Sequence, residues 1–465
     1  MDVVSRTPGA PVAKASSRGL LERLLAPFAE VHAGEAGTAL LLTLNVFLLL
    51  TCYYIIKPVR EALILGNEGA EVKSYASAAM VLLLSLYIPA YSAIASRVDR
   101  MRLITWVTAF FIGCLGAFYL LARAHMPHLG LVFFIWVGIF NVSIIAQFWS
   151  YANDVYTPEA GKRLFAIVAF GSTMGAIAGA TITKALIAPL GVKQLMLVAA
   201  GVLFVSVVIA RIVEAREGAR HAQASSEANE QLGSQGGFRL VLGDRYLLLI
   251  GLLVLVLNIV NTNGEYILGE TLSLLAKHNV EAGLAGAISA DDYKQKFIGG
   301  FYAGFQLTVN VVAAVVQLFL VSRILRWFGV RAALFFMPLI SLAGYSMLAI
   351  APIIGTIRLV KIAENSTDYS LQNTTRQALF LPTSRDAKYK GKAAIDTFFY
   401  RSGDLLSAGL VFLGAKLAMT PQRFSAVNVV LVLAWLLIVI QIGRAHARLT
   451  AEAERAAAAR PVVTT

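Results

Sequence analysis

Apolar runs of about twenty residues recur along this chain, from ALLLTLNVFLLLTCYYII near the start to VNVVLVLAWLLIVIQI near the end. Each is long enough to cross a hydrocarbon layer of about 30 Å. Lipid offers no partner to backbone amides, so runs of this length must satisfy them internally, as helices. The chain is 58% hydrophobic and only 14% charged, whereas soluble domains carry about a quarter charged residues. The expected fold class is an all-α polytopic membrane protein.

Twelve candidate spans fall near 37–57, 74–95, 103–122, 128–150, 164–188, 194–213, 246–272, 297–322, 331–350, 353–379, 393–418 and 424–443. The polar stretch EAREGARHAQASSEANEQLGSQGG separates the first six from the rest and reads as a linker. The expected organisation is an N-terminal segment 1–35 with a short amphipathic helix (RGLLERLLAPFAEV), a six-helix half 36–213, a linker 214–240, a second half 241–445 and a tail 446–465. With the N-terminus inside, the even loops and both termini carry roughly twice the Lys and Arg of the odd loops, which places both termini in the cytoplasm. The net charge of +13 is spread over these short loops, so it reads as a topology signal and not as a nucleic-acid patch. Cys52 and Cys114 lie in apolar runs and suggest neither a disulfide framework nor a zinc site. SRVDRMRLITW after the second span and SRILRWFGVRAALF after the eighth echo each other. This two-half layout resembles that of major-facilitator transporters.

Charges inside the spans carry the most information, because lipid penalises them by about 2.5–3.5 kcal/mol each at mid-membrane. In YYIIKPVREALIL, Lys57 lies three residues from Arg60 and four from Glu61, with Pro58 permitting a kink. The alternative for this cluster is a snorkelling anchor at the membrane edge. In the tenth span, Arg358, Lys361, Glu364, Asn365, Asp368, Gln372, Thr375 and Arg376 fall within a sector of about 120° on an ideal helix. Such a stripe implies a water-filled path, while an internal ion pair such as Lys361–Glu364 is compatible with it. In the eleventh span, Asp396, Tyr400, Gly403, Asp404 and Ser407 share a face, and Arg401 can pair with Asp404. In the seventh, LNIVNTNGEYILGE puts Asn258 and Glu265 on one face, and its Asn-Gly marks a turn or break. Asn141 and Trp149 in the fourth span suit a heterocyclic base, although aromatics there also form interfacial belts. GSTMGAIAGA reads as small-residue helix packing. No HExxH, CxxC, GxxxxGK[ST] or GxSxG motif occurs, so neither an enzyme nor a metal or other cofactor is expected.

The stretch DYSLQNTTRQALFLPTSRDAKYKGKAAIDTFFYRSGD resembles the bacterial and plastid ATP/ADP translocase family of nucleotide transporters. Tyr369, Ser370, Leu371, Thr375, Pro382, the run Lys390 to Asp396, Arg401 and Gly403 carry the likeness. FWSYANDVYTPEAGKRLF and KPVRE are similar to two further family segments, so that the resemblance spans roughly residues 35 to 445. Gln372-Asn373-Thr374, Gln377 and Asp404 depart from it, the last standing where the family has Lys. The resemblance implies exchange of ATP/ADP-type nucleotides or related phosphorylated anions, by alternating access, in a bacterial inner membrane. It also implies a monomer whose partners are a small anionic substrate and the lipid bilayer. Multiply charged anions need clustered cations, which nominates Lys57, Arg60, Arg358, Lys361, Arg376, Lys392 and Arg401 for phosphate. Asn365, Tyr369, Asn141 and Trp149 are the candidates for base or sugar. Glu61, Glu265, Asp368, Asp396 and Asp404 would pair with these cations or couple transport. The alternative is a proton-coupled transporter of another metabolite or drug.

Overall fold

In the computed structural model, residues 31–32, 35–95, 97–156, 158–217, 237–384 and 386–458 are described. The expected N-terminal amphipathic helix and most of the linker lie outside them. Among the described residues there is no strand. Six helices form the first half: α1 Ala36–Asn67, α2 Ala70–Ala95, α3 Arg100–Arg123, α4 Leu129–Val155, α5 Pro158–Leu190 and α6 Val192–Glu217. The second half holds the short α7 Gly237–Gly243, then α8 Arg245–Glu281, α9 Ala290–Val315, α10 Val321–Ile350, α11 Ile354–Thr367, α12 Asn373–Ala378, α13 Tyr400–Lys416 and α14 Pro421–Ala458. Local sequence sets several starts. Asp99 accepts from the Arg102 amide, Asp244 from those of Tyr246 and Leu247, and Ser289 from that of Asp292.

Among the described residues, nine helical stretches are long and apolar enough to cross a membrane. One of them, Ala290–Ile350, runs through α9, a π-helical turn at Val316–Leu320 and α10. It is broken at Gly329, whose φ of 73° is a conformation that favours glycine. The two charged stretches 354–378 and 387–416 are less regular. π-helical turns interrupt them at Asp368–Gln372, Ala387–Gly391 and Ile395–Phe399. Large apolar side chains such as Leu86, Trp106, Phe204 and Leu433 are exposed around the outside, where lipid and not water suits them.

Buried apolar residues gather into two large clusters. One runs from Leu42 to Val213; the other lies mostly between Val241 and Ile442 and reaches into α1, α2 and α4. α1 is the hub of the first half, because small residues let α5 approach it closely. A Cβ on Gly171, Gly175 or Gly179 would meet the backbone of Thr43, Phe47 or Thr51, and the Thr51 hydroxyl donates to the Gly175 carbonyl. This is the small-residue packing expected of GSTMGAIAGA. Gly175→Val should therefore push α5 off α1 and destabilise the protein by about 1–3 kcal/mol, read as a lower unfolding midpoint in detergent. An unchanged midpoint would mean that this contact does not hold the half together.

Asn263-Gly264 does not break its helix, as the sequence suggested; α8 runs through it. Gly264 instead makes room, since a Cβ there would collide with the Tyr345 hydroxyl and approach Lys361 Nζ. Likewise α1 continues through Pro58. Between the halves, Gln295 donates to Asn67, Ser273 to the Leu65 carbonyl, and Lys193 pairs with Asp292 at 3.2 Å. Among the described residues, the hydrogen bonds and ion pairs that cross between halves lie from mid-bundle to the end carrying the α1–α2 and α8–α9 turns.

Candidate functional site

Between the halves lies a cavity of about 440 Å³, within the range of small-molecule sites. α1 contributes Tyr53, Lys57, Arg60 and Glu61, α2 Lys73, and α4 Asn141. From the other side come Asn258, Asn261, Thr262 and Glu265 of α8, Tyr302 and Gln306 of α9, and Asn365 at the end of α11. Tyr369 in the π-helical turn Asp368–Gln372, and Tyr400, Arg401 and Asp404 of α13, complete the wall. The π-helical turn at Asp368–Gln372 thus carries a tyrosine of the cavity wall, and Tyr400 follows directly on the turn at Ile395–Phe399, a use often made of π-helical insertions.

Charges alternate across this wall. Arg60 Nε donates to Glu61 at 3.0 Å, and Lys73 Nζ lies 2.7 Å from the other oxygen of Glu61. Lys73 is also 4.0 Å from Glu265, an ion pair that joins α2 to α8 across the halves. Glu265 in turn faces Lys361 at 3.7 Å and accepts from Asn365 at 3.2 Å. Lys361, fully buried behind the wall, pairs with Glu364 at 3.2 Å and donates to Asn261 Oδ1 at 2.8 Å. Tyr345 and Ser341 hydroxyls occupy the oxygens of Glu364. The second cluster is Asp404, which faces Arg401 at 3.5 Å and accepts from Asn258 at 2.9 Å and Thr262 at 3.2 Å.

Lys57 differs from the other cavity cations. Its Nζ donates to Gln306 Oε1 at 3.2 Å and sits 5.4 Å and 5.9 Å from the ring centres of Tyr54 and Tyr369. Among the described residues it has no carboxylate within ion-pair distance. A cation framed by rings and amides, open to the cavity, is built to receive an anion that also presents a flat or polar body.

The candidates from the sequence divide accordingly. Lys57, Arg60, Glu61, Asn141, Glu265, Asn365, Tyr369, Arg401 and Asp404 come together in the wall. Lys361 stands one layer behind. Arg358 does not line the cavity; its guanidinium lies over Phe301. Arg376, Asp368 and Lys392 are likewise outside the wall, and Asp396 is exposed away from it. Trp149 packs on Phe148 and Phe165 inside the first half. The stripe on the tenth span is not a wet path along its length. Lys361, Glu364, Gln372 and Thr375 are buried in the second half. Lys361 and Glu364 turn toward α8 and α10 onto Asn261, Ser341 and Tyr345, while the π-helical turn at Asp368–Gln372, which they precede, shifts the register of the residues that follow it. The same effect separates Asp396 from Asp404. Lys73 was not anticipated. It follows the α1–α2 turn in AEVKSYASA, where a lone lysine reads as a loop charge, and only its pairing with Glu61 and Glu265 reveals it.

Comparison with known proteins bears directly on this arrangement. Residues 131–446, more than half of the chain, match the family model described as TLC ATP/ADP transporter. The chain belongs to the TLC ATP/ADP transporter family. The matched region starts inside α4, so α1 and α2, with Lys57, Arg60, Glu61 and Lys73, precede it. ADP,ATP carrier protein 1 of Chlamydia pneumoniae is 23% identical over 331 residues, covering 60% of this chain. The chain spans 60% of that relative's length. ADP,ATP carrier protein 5 of Rickettsia prowazekii (strain Madrid E) is 22% identical over 476 residues, covering 85% of this chain and 90% of the relative. Among solved structures, that of the nucleoside transporter NupG superposes with a TM-score of 0.59 at 14% identity, covering 86% of this chain and 98% of that one. A bacterial homologue of the iron transporter ferroportin, in an inward-facing state, gives 0.56 at 14% identity over 87% and 98%. At such identities the likeness is one of fold, and the TLC chain has the all-helical, major-facilitator-like fold.

Proposed function

We propose that this protein is a secondary transporter that exchanges nucleotides of the ATP/ADP type, or related phosphorylated anions, by alternating access. The observation that carries the reading is the inter-half cavity, in which Lys57 has no carboxylate partner among the described residues and is framed by Tyr54, Tyr369 and the Gln306 amide. Family membership and the names of the relatives support the substrate class. Lys57, with Arg60 and Arg401, takes the phosphate end; Tyr53, Tyr369, Asn141 and Asn365 take the base and sugar. Twelve crossings fit the helices if Ala290–Ile350 is counted as two and the charged stretches 354–378 and 387–416 as one each. The halves 36–213 and 241–445 then rock about the cavity as a monomer in a bacterial inner membrane, with both termini in the cytoplasm. The inter-half contacts at the α1–α2 and α8–α9 end support an inward-facing state closed by Lys73–Glu265. Emptying the site leaves Arg60, Lys73 and Arg401 on internal carboxylates, which limits the cost of buried charge between substrates.

Counterflow tests this. Proteoliposomes loaded with unlabelled AMP, ADP or ATP are mixed with a trace of labelled nucleotide outside. The expected result is transient accumulation that requires nucleotide inside. Failure of all three to support accumulation would leave the family membership and fold standing and remove the nucleotide reading.

A further inference from the structure

The charge of the cavity says which nucleotides it can hold. Its wall carries four cations, Lys57, Arg60, Lys73 and Arg401, and three carboxylates, Glu61, Glu265 and Asp404, leaving a net charge of +1. The layer behind adds the neutral pair Lys361–Glu364. Among the described residues, three of the four wall cations already have a carboxylate within 4.0 Å, and Lys57 alone does not. An incoming anion can draw Arg60 or Arg401 away from its carboxylate. That carboxylate nevertheless stays in the same wall, where it repels the substrate.

A terminal phosphate carries about −1.5 to −2 at pH 7, and each further phosphate adds about one more charge. A triphosphate would leave this wall strongly negative in a partly desolvated space, whereas a single phosphate comes close to matching it. We infer that this site selects nucleotides with one phosphate, nucleoside monophosphates or comparable monophosphorylated anions, over di- and triphosphates, and that the Arg401–Asp404 cluster sets the limit. The inference rests on the nucleotide reading above and specifies its substrate class. Lys57 is the phosphate anchor, and the amides and rings of Asn141, Asn365, Tyr53 and Tyr369 have room for the base because no long phosphate chain occupies the cavity. Asp404 acts through charge: held by Asn258 and Thr262, it stays in the wall when Arg401 turns to a substrate.

Counterflow with labelled AMP, ADP and ATP, in the presence of a chelator so that each nucleotide bears its full charge, is the test. Uptake of AMP should exceed that of ADP, and ADP that of ATP. Asp404→Asn raises the wall to +2 and should narrow the AMP-to-ATP ratio about tenfold, the scale of one charge-assisted contact. The double variant Arg401→Gln, Asp404→Asn restores the net charge of +1 and should restore the preference. A structural defect would instead lower uptake of all three without reordering them. Equal or greater uptake of ATP by the unaltered protein overturns the inference while leaving nucleotide exchange intact. So does a ratio that ignores the charge in the two variants. Absence of uptake for every nucleotide removes the functional reading itself, and this inference with it.

Discussion

Lys57→Ala should cut nucleotide counterflow by on the order of 30- to 100-fold, the loss that accompanies removal of one side of a charge-assisted contact, while leaving the protein folded. The asymmetry follows from its surroundings. Lys57 donates to the Gln306 amide and lies near two tyrosine rings, but holds no carboxylate in place. Its removal therefore leaves no buried charge uncompensated, and the Gln306 oxygen it abandons faces a cavity that water can fill. Lys57→Arg keeps the charge but exchanges a point donor for a planar fork, and should recover part of the exchange. Arg60→Ala makes the contrast, because Glu61 is nearly inaccessible and would then depend on Lys73 alone, so a fall in stability should accompany any fall in transport. If Lys57→Ala exchanges nucleotide at the unaltered rate with a full thermal midpoint, the phosphate end of the substrate binds elsewhere.

What could be read from the sequence, and what could not, divides along the distance over which the physics acts. Apolar length is a local property, so most of the rods were legible, as was the glycine stripe that seats α5 on α1. Lys57, Arg60 and Glu61 were legible because they lie within four residues on a helix that had to be in lipid. The tenth span was misread for a physical reason. An angular plot assumes an uninterrupted helix, and the π-helical turn at Asp368–Gln372 leaves Tyr369 in the cavity while Gln372 and Thr375 are buried. Asn263-Gly264 misled in the same way: a dipeptide that favours turns proves to be a seat for Tyr345 and Lys361, side chains far away in sequence. Lys73 was invisible because its meaning is wholly non-local. It gains a role only when the α2 start, α1 and α8 are brought together.

Lys361 is the case in which structure changes the expected outcome most. A lysine in a charged stripe reads as a substrate contact, and its loss would then abolish transport with little effect on folding. The geometry says otherwise, since the residue is fully buried and its Nζ is surrounded by Glu364, Glu265 and Asn261. Lys361→Met should leave Glu364 buried with only the Tyr345 and Ser341 hydroxyls for company, a loss of about 3–5 kcal/mol when one partner of a buried pair is removed. The readout is a sharp fall in the unfolding midpoint and in the yield of extracted protein. Adding Glu364→Gln removes the stranded charge while its amide can still meet both hydroxyls, so the double variant should regain most of the stability. It should also regain measurable counterflow, because neither residue lines the cavity. A Lys361→Met protein with an unchanged midpoint and no exchange would reverse the assignment and put Lys361 in the substrate path. The two outcomes separate on stability alone, before any substrate is chosen, since a residue that supports the wall is needed by the empty protein and a residue that binds the anion is not.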